Sequence, residues 1–436
     1  MKKTIQNIFL VLLTISFVAC SNFTDGINDD PNNFTSAPGD LLIGQAQLAT
    51  VKLSSSQASR LAGMWTDQFT GSDRQFITLN SYNTTSGDFD DDWDDLYIWG
   101  LQQADLTIED ATNNGNTILV GIAQIIKGQL LAEAAALWGD VPYTEALDYL
   151  NFPNPSYDSQ QSVLDAAQGL LSDGISNVGN AGIASPISTK IFVANDATWA
   201  EIAHSLKARY YLVAKNYPQA LIEARLGISS SSGDLLSVHG TETGSKNMYY
   251  QFTVEQREGY LDANGSHLNN LVTGVTPRLL ATPGDAQRAA VYFDGNDLNT
   301  STGGFFAIDA SFPIVSYIET KLIEAEAEYR TSGDAATPFN AVRDELATIY
   351  GPGFPQTTST GNALLLEILE EKYISLIGSL QVFHDVRRTE NAIGVPIKNS
   401  TATKIPQRFL YPQGEVSNNA NFPGVVGLFT ETPVNQ

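Results

Sequence analysis

Residues 197–227, ATWAEIAHSLKARYYLVAKNYPQALIEARLG, read as two helices joined by a turn. Trp199, Ile202, Ala203, Leu206, Tyr210 and Val213 recur three or four residues apart, so they share one helical face. Tyr217-Pro218-Gln219-Ala220 opens the second helix. A helix with one apolar face has to bury it against a neighbour, and the adjacent helix supplies that surface.

The same pattern recurs along the chain. Ile122, Ile125, Ile126, Leu130, Ala134 and Leu137 form one face, and Ile318, Leu322, Ala325 and Tyr329 another. Leu365, Ile368, Leu369, Leu376, Ile377 and Leu380 form a fourth. Helix-like companions stand close by, among them Val163–Ile175, Pro218–Leu226 and Thr337–Tyr350. These pairs predict a mainly α fold, a tetratricopeptide-like helical-repeat scaffold of about four helix pairs. Periodicity alone also fits a generic helical bundle. Between the pairs lie long polar stretches, 66–92 and 228–312, the second with short β-like runs among Gly and Asn turns. Loops of this size are usually functional, so they are expected to form a loop-rich, partly β, ligand-facing region. No sharp linker divides the chain, and 39–436 reads as a single domain.

The chain has 436 residues, enough for a sizeable core, and a net charge of −24 from 24 basic and 48 acidic residues. That balance disfavours nucleic acid and docking on anionic lipid through basic patches. The one cysteine, Cys20, excludes an internal disulfide. Cys20 follows Lys2, Lys3 and the apolar run Ile8–Ala19, which is short for a membrane span but fits a signal-peptide core. Phe17-Val18-Ala19-Cys20 then looks like a bacterial lipoprotein box. The expectation is a signal peptide over 1–19, lipidation at Cys20, a flexible tether over 20–38, and a membrane held through the lipid.

Catalytic motifs are missing. There is no G-x-S-x-G, H-E-x-x-H, P-loop or G-x-G-x-x-G. The four histidines are scattered, and His204 and His384 read as structural. No carboxylate pair stands out among 48 acids, so an enzyme has no positive support. The acidic run Asp88–Asp95 has the oxygen ligands calcium prefers, without EF-hand spacing; the alternative is a helix start whose carboxylates complement the dipole. No cofactor is expected beyond that calcium.

Several segments, taken together, resemble the SusD/RagB outer-membrane lipoproteins of the Bacteroidetes, in particular their shorter SusD-like branch. They are Asn28-Asp29-Asp30-Pro31-Asn32-Asn33, Trp93-x-x-Leu96-Tyr97, and Trp138-Gly139-Asp140-Val141-Pro142-Tyr143-Thr144-Glu145-Ala146. Three more follow in family order: Glu319-x-x-Leu322-x-x-Ala325-Glu326-Ala327, Glu371-Lys372-Tyr373 with Arg387-Arg388-Thr389, and Arg408-x-x-Tyr411-Pro412-x-x-Glu415. Gly139 and Pro142 turn the chain at a helix end. Glu326, in an apolar-faced helix, requires a partner, with Arg387 or Arg388 the candidates.

The resemblance implies an outer-membrane, cell-surface lipoprotein that is not an enzyme. It would act as the lid of a SusC-like TonB-dependent barrel transporter and capture an oligosaccharide ligand without turnover. The same architecture in some branches takes peptides or another nutrient, and a lipoprotein glycosidase is the different-class alternative. Sugar affinity comes from aromatic faces and nearby polar groups. The candidates are Trp65, Phe69 and Tyr82 in the first polar stretch and Tyr249, Tyr250 and Tyr260 in the second, with Phe305 and Phe306 a further ridge. Trp199, by its spacing, reads as packing.

Overall fold

The computed structural model describes residues 37–183 and 191–436. Cys20, the segment 1–19, the Asn28–Asn33 motif and the tether up to residue 36 lie outside the described residues. Gly39–Gln436 cluster as one unit.

The unit opens with α1 (Gly39–Ser55), α2 (Gln57–Trp65), α3 (Gln75–Asn80), α4 (Asp90–Leu96) and α5 (Gln102–Asn113). Next come α6 (Thr117–Trp138), α7 (Gln160–Val178), α8 (Trp199–Val213) and α9 (Tyr217–Ala224). After the short α10 (His267–Val272) and α11 (Asp285–Tyr292) stand α12 (Tyr317–Arg330), α13 (Ala336–Tyr350), α14 (Gly361–Ser375) and α15 (Leu380–Arg388). A last short helix, α16, spans Gln413–Asn418.

The four expected pairs are α6–α7, α8–α9, α12–α13 and α14–α15. They stack in series: α1 packs on α5, α5 on α6, α6 on α7, α7 on α8, α8 on α9, α9 on α12, and α12 on both α13 and α14. In α8, Thr198 caps the start and Glu201 reaches back to its N–H, completing a capping box. Pro218 sits in the first turn of α9, where the absent N–H breaks no helical bond. The interface of α6 and α7 is closed by glycine. A Cβ at Gly121 would come within 2.7 Å of Val178, and one at Gly174 within 2.6 Å of Ile125, so only bare backbones pass at this separation. Long and apolar enough to cross a bilayer, α6 is instead the mostly buried core helix of the stack.

The sheets are small and antiparallel: Thr70–Gly71 with Leu261–Asp262, Val141–Pro142 with Tyr157–Asp158, Phe293–Asp294 with Asp297–Leu298, and a three-stranded sheet of Phe192–Val193, Leu235–Ser237 and Phe312–Val315.

Buried ion pairs lock the stack. Arg209 of α8 makes two 2.6 Å bonds to Glu319 of α12. Glu326 of α12, fully buried, is met by Arg388 of α15, one of its two expected partners. The other, Arg387, donates instead to the carbonyls of Gln407 and Ala136. His384, as expected, is structural. Arg387 donates to its Nδ1, so the ring proton sits on Nε2, which bonds Glu133 at 2.8 Å. His204 bonds Glu223 at 2.6 Å, tying α8 to α9.

The densest knot surrounds Glu371, which has no exposed surface. Arg288 bonds it at 2.6 Å, Arg343 at 2.5 Å and Arg278 at 3.0 Å, with Asp285 and Glu370 as further partners of the arginines. Burial alone would raise the Glu371 pKa, but the three guanidinium groups hold it well below the usual carboxylate range. Glu371→Gln leaves three buried arginines short of one negative charge. It is expected to destabilise the fold by about 3–5 kcal/mol in chemical denaturation, and a loss under 1 kcal/mol would contradict this account.

Candidate functional site

The two polar stretches singled out in the sequence meet in space. Thr70 pairs with Asp262 and Gly71 with Leu261, and Ser72 N–H donates to Tyr260 O at 2.9 Å. Thr70 Oγ1 donates to Asn264 O at 3.0 Å. Beneath this joint lies an aromatic floor. Phe76 stacks obliquely on Phe252 at 4.9 Å and meets the edge of Tyr260 at 5.9 Å; Phe69 lies 5.7 Å from Tyr249 and 5.9 Å from Phe306.

The first stretch is stapled at both ends. Gln68 donates to Tyr373 O and accepts from Gly378 N–H, and Tyr373 OH donates to Thr66 O. Lys398 ties the two ends together, bonding Asn80 at 2.8 Å and Asp67 at 2.9 Å, and its own N–H donates to the Tyr82 hydroxyl. Burial pushes Asp67 above the usual carboxylate range and Lys398 below the usual ammonium range, each partly held back by the other's charge.

This geometry revises the list of contact residues. Trp65, Phe69 and Tyr249 have no exposed surface, and Tyr82 and Tyr260 are buried at 4 % and 8 %. Trp65 packs edge-on against Phe383 and Phe409 and donates its indole N–H to Leu79 O. Tyr249 bonds Ser59 and Gly378, leaving it no free face or hydroxyl. A ring enclosed in this way is a packing element. Phe306 is buried as well, and Phe305 packs edge-on against it at 5.0 Å. Tyr250 alone of the six is half-buried.

Tyr260 differs from the other buried rings in what covers it. The guanidinium groups of Arg74 and Arg257 lie over it at 5.8 and 5.9 Å, and both arginines are exposed. Long, solvated side chains can move off a ring at small cost, whereas core packing cannot. Arg74 also holds φ +43° and ψ −127°, a backbone conformation more usual for glycine. Around them the exposed face carries Asp73, Gln75, Ile77, Val254, Gln256 and Asn264. Gln251–Gln256 winds as a wide π turn, a shape frequent at functional sites. Sequence reading missed Arg74 and Arg257. Each stands near a noted tyrosine or phenylalanine, but nothing in the chain order shows that both cover one ring.

A family profile described as "Starch-binding associating with outer membrane" matches residues 31–412. The chain belongs to this SusD-like family. Solved SusD-like structures share the fold. A SusD/RagB family protein from Bacteroides thetaiotaomicron VPI-5482 is 19 % identical, with TM-score 0.67 over 89 % of this chain and 95 % of that one. A SusD homolog from Bacteroides fragilis NCTC 9343 is 17 % identical, with TM-score 0.68 over 92 % and 100 %. A chitin-binding protein is 20 % identical, with TM-score 0.62 over 87 % and 95 %. No curated protein matches the chain in sequence.

The acidic run Asp88–Asp95 is divided among separate partners. Asp88 closes a capping box with Thr85, Asp90 accepts from Gly414 N–H, and Asp95 pairs with Lys52. Among the described residues, no three His, Cys, Asp or Glu are gathered as a metal cluster. Asp92 is buried, accepts from Ala58 N–H, and has no partner for its other oxygen among the described residues. Nearby Arg60 stacks on Phe252 at 4.0 Å, and burial lowers its pKa to about 10. Burial pushes Asp92 up to about 7, against the pull of Arg60.

Because the folded pKa of Asp92 is raised, its stabilising contribution is complete below the unfolded value near 3.9 and is lost as pH rises through about 7. Asp92→Asn keeps the acceptor and removes the titration. It should match the parent near pH 4 and exceed it at pH 8 by on the order of 2–4 kcal/mol. Denaturation at the two pH values measures this, and a pH-independent difference would refute it.

Proposed function

We propose that this protein is a lipid-anchored, cell-surface capture protein that binds oligosaccharides without turnover and passes them to a SusC-like TonB-dependent barrel transporter. The loop face joined at Thr70 and Asp262 is the capture site. The observation that carries this reading is Tyr260, an aromatic face sheltered by two exposed arginines at the joint of both polar stretches. A sugar ring displacing the guanidinium groups meets the tyrosine with its C–H face, while the arginines and Gln75, Gln256 and Asn264 bond its hydroxyls. The family's starch-binding description and the chitin-binding relative of the same fold favour a glycan ligand. The proposed anchor is Cys20.

Affinity electrophoresis or calorimetry of residues 21–436 against a panel of polysaccharides and peptides tests this, with product analysis on the same samples. Retardation by at least one glycan, without cleavage, is expected. Arg74→Ala combined with Arg257→Ala, both at exposed positions, should weaken that binding about ten-fold or more. Unchanged binding would remove the site, peptide binding alone would move the ligand class, and release of reducing ends would overturn the non-enzymatic reading. Protease added to intact cells should cleave the protein; survival while surface controls are cut would sink the lid role.

A further inference from the structure

A concavity elsewhere in the molecule shares no lining residue with the Arg74–Tyr260–Arg257 face. It is a cleft of about 530 Å³ between the start of α4, the loop after α6 and the start of α16. Its wall is apolar: Trp93 and Tyr97, stacked at 4.5 Å, with Ile98, Leu147 and the prolines Pro142, Pro155 and Pro412. Its construction is rigid. Tyr97 OH donates to Pro142 O at 2.7 Å, Tyr157 OH to Glu415 at 2.6 Å, and Gly414 N–H to Asp90 at 3.1 Å.

Three carboxylates, Asp90, Asp94 and Glu415, line the cleft, and no lysine or arginine does. Among the described residues none of the three is in an ion pair, although this chain pairs many of its other acids. Partial burial and the neighbouring Asp90, Asp91 and Asp95 raise the Asp94 pKa, which marks an uncompensated negative potential. Beside the cleft the chain exposes large apolar side chains. Following the lining residue Leu147, Tyr149 and Leu150 are 72 % and 79 % exposed and Phe152 40 %; the lining residue Ile98 is 42 % exposed and its neighbour Trp99 46 %. Clustered exposed apolar residues next to a formed cleft are a mark of protein docking.

We propose that this cleft docks an extended segment of a protein partner carrying a lysine or arginine among aliphatic or proline residues. The basic head meets Asp94 and Glu415, its stem lies along Trp93, Ile98 and Leu147, and the flanking residues cover the Tyr149–Phe152 tip. Charge complementarity selects this occupant. A neutral sugar would find acceptors in the carboxylates but, with the Tyr97 hydroxyl committed to Pro142 O, only Asn418 and the Trp93 indole as side-chain hydrogen-bond donors in the lining.

The test is fluorescence anisotropy of a labelled Pro-Leu-Lys-Leu-Pro peptide with the full chain in detergent, beside a Pro-Leu-Glu-Leu-Pro control and a chitosan tetramer competitor. The lysine peptide should bind about ten-fold or more tighter than the control and weaken as salt rises from about 50 to 500 mM. Asp94→Asn and Ile98→Ser, both at exposed positions, should each weaken binding about five-fold with an unchanged melting curve. No binding at millimolar peptide, or binding indifferent to both variants, would overturn the proposal. So would tight chitosan binding, lost in Asp94→Asn, in the absence of peptide binding; it would reassign the cleft to a cationic glycan.

Discussion

The end of α6 leaves carbonyl oxygens that no helical N–H can reach, and the way they are satisfied joins the first third of the chain to its C-terminal part. Arg387 bonds Ala136 O, Phe409 N–H bonds Leu137 O, Arg408 bonds Trp138 O and Tyr411 OH bonds Asp140 O. In return Trp138 donates its indole N–H to Leu410 O. A buried helix end without such partners would cost several kilocalories per mole, so the C-terminal strap is part of the core rather than a tail. Three family-like motifs far apart in sequence, around Trp138, Arg387 and Arg408, thus converge on one helix terminus.

Charge is distributed by the same logic. Of 24 basic side chains, many are used inside the stack, where Arg209, Arg388, Arg278, Arg288 and Arg343 meet buried carboxylates. Such pairs contribute little net stability against apolar substitutes, but breaking one is expensive, so they select one register of helix against helix. The exterior is left strongly acidic. Exposed arginines on that exterior are therefore conspicuous, and Arg74 and Arg257 lie over the same ring.

The helical scaffold was legible because burial imposes a period on sequence. The face of Trp199, Ile202, Ala203, Leu206, Tyr210 and Val213 is buried throughout, and Glu326 announced the need for an arginine before any contact was known. The loop face was legible only as a region. Polar composition marked both stretches, but aromatic residues within them point inward, because short strands and the Gln68, Tyr373 and Lys398 bonds fold the loops onto their own rings. Composition cannot distinguish a ring on a loop surface from a ring beneath one. The acidic run shows the same limit: sequence displays six aspartates in eight residues, while Lys52, Thr85, Ala58 and Gly414 decide where the charge goes.

A face built in this way separates two requirements that a binding surface usually has to reconcile. The floor of Phe76, Phe252 and Tyr260 is fixed by packing and by staples to α14 and to Lys398, so ordering it adds no entropic penalty on binding. The cover of exposed Arg74, Arg257, Gln75 and Gln256 carries little packing, so its residues can change without disturbing the stack. Residues that touch a ligand in such an arrangement are then the least constrained by the fold. That is the physical reason a scaffold can be read from a sequence at 17–20 % identity to its relatives while the substrate cannot.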